Sequence, residues 1–90
     1  MLYRICTEDK NIDQLHALVS KSFDGFTSYV ATGYWKGVSE QARIIEIVAQ
    51  GNKRQCGAFE SIRALCYAIK ELNSQECVLL QAIENQDYFI

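Results

Sequence analysis

Ninety residues, 49% of them hydrophobic, suffice for one small domain with a modest core. The formal net charge of -2, with acidic and basic residues interspersed, lacks the basic stripe that a phosphate-tracking nucleic-acid binder needs. Four cysteines without C-x-x-C spacing and one histidine, His16, argue against a zinc site, and no apolar run approaches the length of a membrane span.

Taken in chain order, LYRIC at 2 to 6 reads as a short strand. The amino terminus becomes charged too soon for a signal peptide, so a soluble, cytoplasmic chain is expected. Asn11 with Gln14 three positions on has the form of a capping box, and Ile12, Leu15, Leu18, Val19 and Phe23 recur at helical spacing up to Asp24-Gly25. His16 on this helix has no assigned task and reads as a surface or boundary residue. Two runs of strand formers follow, FTSYVATGYW at 26 to 35 and RIIEIVA at 43 to 49, with a chain reversal between them. GNKRQCG at 51 to 57 is a polar, glycine-bounded loop. Beyond it Phe59, Ile62, Leu65, Cys66, Ile69 and Leu72 mark one face of a second helix, which Asn73-Ser74 closes, and ECVLLQAI at 76 to 83 is a last strand. Cys6, Cys66 and Cys77 each lie in an apolar segment, the setting of a free, buried thiol in a reducing compartment.

The order β-α-β-β-α-β predicts one α+β domain over residues 1–90, the ferredoxin-like arrangement of a four-stranded antiparallel sheet with both helices on one face. The other face would be bare. On the third strand Ile45 and Ile47 alternate with Ile44, Glu46 and Val48, so both faces carry apolar residues. The last strand repeats the pattern, and the tail Tyr88, Phe89 and Ile90 adds more apolar area. Bare faces meeting in an oligomer would account for this; a curled sheet covered by its own tail is the alternative. Glu46, among isoleucines, must face water at an edge or be buried with a partner, and is the second choice for a functional carboxylate.

The reversal TGYWKGVSE at 32 to 40 carries the chemistry. Gly33 allows close approach of a backbone or ligand, and Gly37 can supply a positive φ. Tyr34 or Trp35 on one strand and Glu40 on the next can converge across the hairpin, and a phenol, an indole and a carboxylate suit a cationic, partly flat ligand. A glycine-kinked hairpin with merely packed aromatics is the plainer reading. Lys36, Lys53 and Arg54 are the nearest bases, either touching a ribose or phosphate or solvated in turns.

The run TGYWKGVSEQARIIEIV, with the helix FESIRALCYAIKEL and the strand SQECVLLQAI, resembles the small phage-encoded S-adenosylmethionine lyases, formerly called S-adenosylmethionine hydrolases. The similarity covers roughly residues 26 to 83. It implies a trimer of ferredoxin-like subunits, related in architecture to PII signalling proteins, with active sites between subunits. It also implies cleavage of S-adenosylmethionine to 5'-methylthioadenosine and homoserine lactone, without cofactor or metal, serving phage defence against host restriction in the host cytoplasm. The family's catalytic residues carry over as Glu40 and Tyr34, with Trp35 the alternative for the tyrosine; Thr32, Gly33, Trp35 and Lys36 are the expected substrate-binding residues. Neither nucleic acid nor a membrane is an expected partner. Two other readings stay open: a lyase acting on S-adenosylmethionine joined to AMP, for which Lys53 and Arg54 would bind phosphate, and a PII-like adenine-nucleotide sensor without catalysis.

Overall fold

Alternation decides which side of each strand is buried. In a computed structural model, which describes residues 1–48, 57–84 and 88, Tyr3, Ile5 and Thr7 face inward from β1 (Leu2–Glu8), and Ile45 and Ile47 do so from β3 (Val38–Val48). Helices α1 (Ile12–Ser22) and α2 (Gly57–Leu72) pack side by side on that face. Leu15 and Val19, one helical turn apart, come from α1; Ile62, Leu65 and Ile69 come from α2. With β2 (Thr27–Trp35) and β4 (Leu79–Ile83) the order is β-α-β-β-α-β, and the fold is the α+β, ferredoxin-like one. The antiparallel sheet runs β2-β3-β1-β4, so the two apolar strands are central and β2 and β4 form the edges.

Several element ends depart from expectation. The third strand begins at Val38 rather than near Arg43, because Lys36 and Gly37 alone make the turn, with φ of 51° and 81°. Two positive φ values are the pattern of a primed hairpin turn, whose twist matches the flanking strands and lets pairing run up to Trp35 and Val38. Asn11 does precede α1, but it sits in the left-handed region and its side chain makes no cap bond. Its amide instead donates to Asn73 Oδ1 at 3.0 Å and to the Leu72 carbonyl at 3.3 Å, tying the start of α1 to the end of α2.

That tie continues inward. Asn73, 1% exposed, donates through Nδ2 to Thr7 Oγ at 3.1 Å, and the Thr7 hydroxyl donates to Gln75 Oε1. Gln75 Oε1 also accepts the Glu8 backbone N–H at 3.3 Å, while its Nε2 donates to the Cys77 carbonyl at 3.2 Å. Every buried side-chain polar atom among the described residues has a partner, as a buried relay must to repay its desolvation.

The face away from the helices is half apolar. Leu2, Cys6, Tyr29, Ile44, Val48 and Leu79 share it by register, and Leu79 is 55% exposed. Across it runs one polar bar: Arg4 donates to Glu46 at 2.9 Å, and the Tyr29 hydroxyl donates to the same oxygen at 3.0 Å. The bond to Glu46 pushes the Tyr29 phenol up and holds the Arg4 guanidinium above its ordinary range. Glu46 is therefore on an interior strand and engaged by two partners, Arg4 and Tyr29. His16 is half-buried beneath β2, its Nε2 2.7 Å from Ser28 Oγ, with Arg43 reaching the same hydroxyl at 3.3 Å and held by Asp9 at 2.9 Å.

Cys6, Cys66 and Cys77 are free thiols. Burial pushes Cys66 up to about 11 and also raises Cys6, whereas Cys77 is exposed, contrary to the expectation from its apolar neighbours. It lies in the stretch 76–78 that precedes β4 instead of belonging to it. Lys53, Arg54, Cys56, Phe89 and Ile90 fall outside the described residues. Among the described residues no helix is long and apolar enough to cross a membrane.

Candidate functional site

The β2–β3 hairpin is longer than the sheet it belongs to. β1 stops pairing with β3 at Glu8 opposite Ala42, whereas β2 and β3 continue together to the turn. The hairpin arm thus projects past the end of β1, and the step between them forms an open pocket of about 330 Å³. Gly33, Tyr34 and Glu40 line it from the arm. Thr7 and Glu8 contribute the end of β1, and Gln75 the loop before β4.

Register corrects how the arm's residues meet. Glu40 lies opposite Gly33, Tyr34 opposite Ser39 and Trp35 opposite Val38, so Glu40 and Tyr34 are not facing partners across the ladder. The pleat assigns them to opposite faces of the arm. Both are nonetheless among the residues that line the pocket, together with Gly33, which stands opposite Glu40 in the ladder. A Cβ added at Gly33 would sit 3.9 Å from the Glu40 carbonyl oxygen, an ordinary contact, and its φ is not positive. Neither the backbone nor contact with neighbouring atoms therefore requires this glycine. Gly37, by contrast, does supply the expected positive φ.

Of the other sequence-predicted residues, Thr32 is exposed opposite Gln41, and Lys36 is at the turn; neither lines the pocket. Tyr34 is 75% exposed and Glu40 is exposed, so the pocket is a shallow one on this chain. Sequence reading missed its other wall. Glu8 lies two residues beyond the LYRIC run that reads as the first strand, and β1 continues through it, which puts it on the same face as Cys6 and Glu40. Thr7 and Gln75 had no local signal, since their bond joins positions 68 residues apart.

Chemically the pocket offers two carboxylates, a phenol, amides, a hydroxyl and the Cys6 thiol, whose acidity burial weakens. No lysine or arginine lines it among the described residues. The chemistry of such a set is complementary to cations and hydrogen-bond donors, and it contains neither a primed nucleophile nor a cluster of metal ligands among the described residues. Compared with protein-family models and with curated proteins, the chain matches none.

Proposed function

We propose that this chain is a lyase that cleaves S-adenosylmethionine to 5'-methylthioadenosine and homoserine lactone. The supporting observation is that Glu40 and Tyr34, from adjacent strands, line one pocket together with Gly33. A sulfonium is already an excellent leaving group, so the protein need supply no nucleophile, metal or strong acid. In the reaction a substrate carboxylate oxygen attacks the γ-carbon, the bond from that carbon to sulfur breaks, and its electron pair stays on the thioether. The enzyme's task is to fold the methionine arm so that these atoms meet in line, a proximity effect on the order of 7 kcal/mol or more. Glu40 holds the substrate ammonium and fixes that conformer; the Tyr34 hydroxyl orients the arm and helps exclude water.

Two features of the molecule support an assembly with sites between subunits. The pocket is open on this chain, and the half-apolar sheet face offers area for a second copy to cover. A homotrimer acting in the cytoplasm, and a role against host restriction if the chain is phage-encoded, belong to the same proposal. A two-residue turn between β2 and β3 disfavours the sensor reading, because PII-like signalling uses a long loop there to reach partners.

Incubation with S-adenosylmethionine without added metal, followed by chromatography, is the test. Methylthioadenosine and homoserine lactone are expected from wild type, and Glu40→Gln is expected to remove turnover with an unchanged melting temperature. Intact substrate after prolonged incubation with wild type would overturn the proposal.

A further inference from the structure

We propose that Glu8 is the second binding carboxylate of this pocket, and that the site selects its ligand by positive charge, taking the free sulfonium amino acid in preference to a phosphate-bearing derivative. The identity of the ligand rests on the lyase reading above. Glu8 pairs with Ala42 in register, which puts it on the same face as Glu40, two residues along β3. Both line the pocket, and no lysine or arginine is among its described lining residues.

The position of Glu8 is fixed from behind. Its backbone N–H donates to Gln75, whose amide is oriented in turn by Thr7, Asn73 and the Cys77 carbonyl. Elements from both halves of the chain thereby hold the end of β1. The Glu8 carboxylate itself is paired with Lys10 at 3.1 Å, both side chains being nearly half exposed. An exposed pair of this kind is weak and exchangeable, so a ligand cation can take the place of Lys10. S-adenosylmethionine presents two positive centres, the sulfonium and the ammonium, to two carboxylates. A conjugate with AMP adds a phosphodiester anion, which Glu8 and Glu40 would repel.

Calorimetry on the intact chain with two unreactive analogues tests this: sinefungin, which carries an amine-bearing carbon in place of the sulfonium, and S-adenosylhomocysteine, which is uncharged at sulfur. Wild type is expected to bind sinefungin about tenfold more tightly. Glu8→Gln should weaken sinefungin about fivefold with little change for S-adenosylhomocysteine, and Lys10→Ala should tighten sinefungin about twofold. Opposite signs from two neighbouring substitutions cannot come from a damaged fold. Turnover of S-adenosylmethionine with sinefungin affinity unaffected by Glu8→Gln, or equal turnover of the AMP conjugate, overturns the inference and leaves the lyase reading intact. The expected charge dependence with no methylthioadenosine formed overturns the lyase reading and keeps the inference. Binding of neither analogue overturns both.

Discussion

The two halves of β3 live in different environments. From Ile44 to Ile47 the strand is central: Ile45 and Ile47 lie under the helices, and Glu46 is engaged by Arg4 and Tyr29. From Val38 to Gln41 every residue is exposed, β1 no longer pairs, and only the ladder to β2 holds the strand. One continuous strand thus carries the core at one end and the candidate site at the other. Substitutions in the first half should cost stability, and substitutions in the second should cost binding while the fold survives.

The largest expected effect is in the buried half. Ile45→Ala removes a fully buried side chain between β1, β3 and the helices and should destabilise by about 2–5 kcal/mol in denaturant titration. A loss comparable to that of an arm substitution would break the contrast. Asn73→Ala comes next, at about 1–3 kcal/mol, because it takes one hydrogen bond each from the buried Thr7 hydroxyl and the Asn11 amide. It sharpens the contrast by testing the joint between core and pocket, and it should also raise KM by loosening Gln75 and Glu8.

The raised Cys66 pKa gives a third, pH-dependent contrast. The folded state keeps the thiol protonated up to about 11, whereas the unfolded chain ionises it in the ordinary thiol range. Above about pH 9 the unfolded state therefore holds fewer protons than the folded one, and stability falls as pH rises towards 11. Below that window the group has no effect. The melting temperature should drop between these limits in wild type and drop less in Cys66→Ala, while of the three described thiols alkylating agents react first at exposed Cys77. In the arm, Gly37→Ala should cost about 1 kcal/mol through its φ of 81°. The smallest change in stability, within about 0.5 kcal/mol, is expected for Gly33→Ala, yet its methyl would enter the pocket and raise KM several-fold; an unchanged KM would count against this floor.

Local patterns made most of the fold legible. Alternation in β1 and β3 and the three- and four-residue spacing of Leu15, Val19, Ile62, Leu65 and Ile69 each carry a period that a reader can count, and these residues are the core. The arm was half legible: Gly37 announced a turn, but only paired strands reveal that Glu40 stands opposite Gly33 rather than an aromatic ring. The second wall was hidden because Thr7, Glu8, Asn73 and Gln75 are brought together by the packing of β1 against the end of α2, which no short stretch of sequence encodes.

The two-residue turn also constrains how this arm can change over generations. A single residue gained or lost between Ala31 and the turn must either bulge the strand or roll Tyr34 onto the side that Glu40 occupies. Insertions that keep the carboxylate and the phenol where they are must come two at a time and on both strands, so viable descendants should differ in hairpin length by even steps.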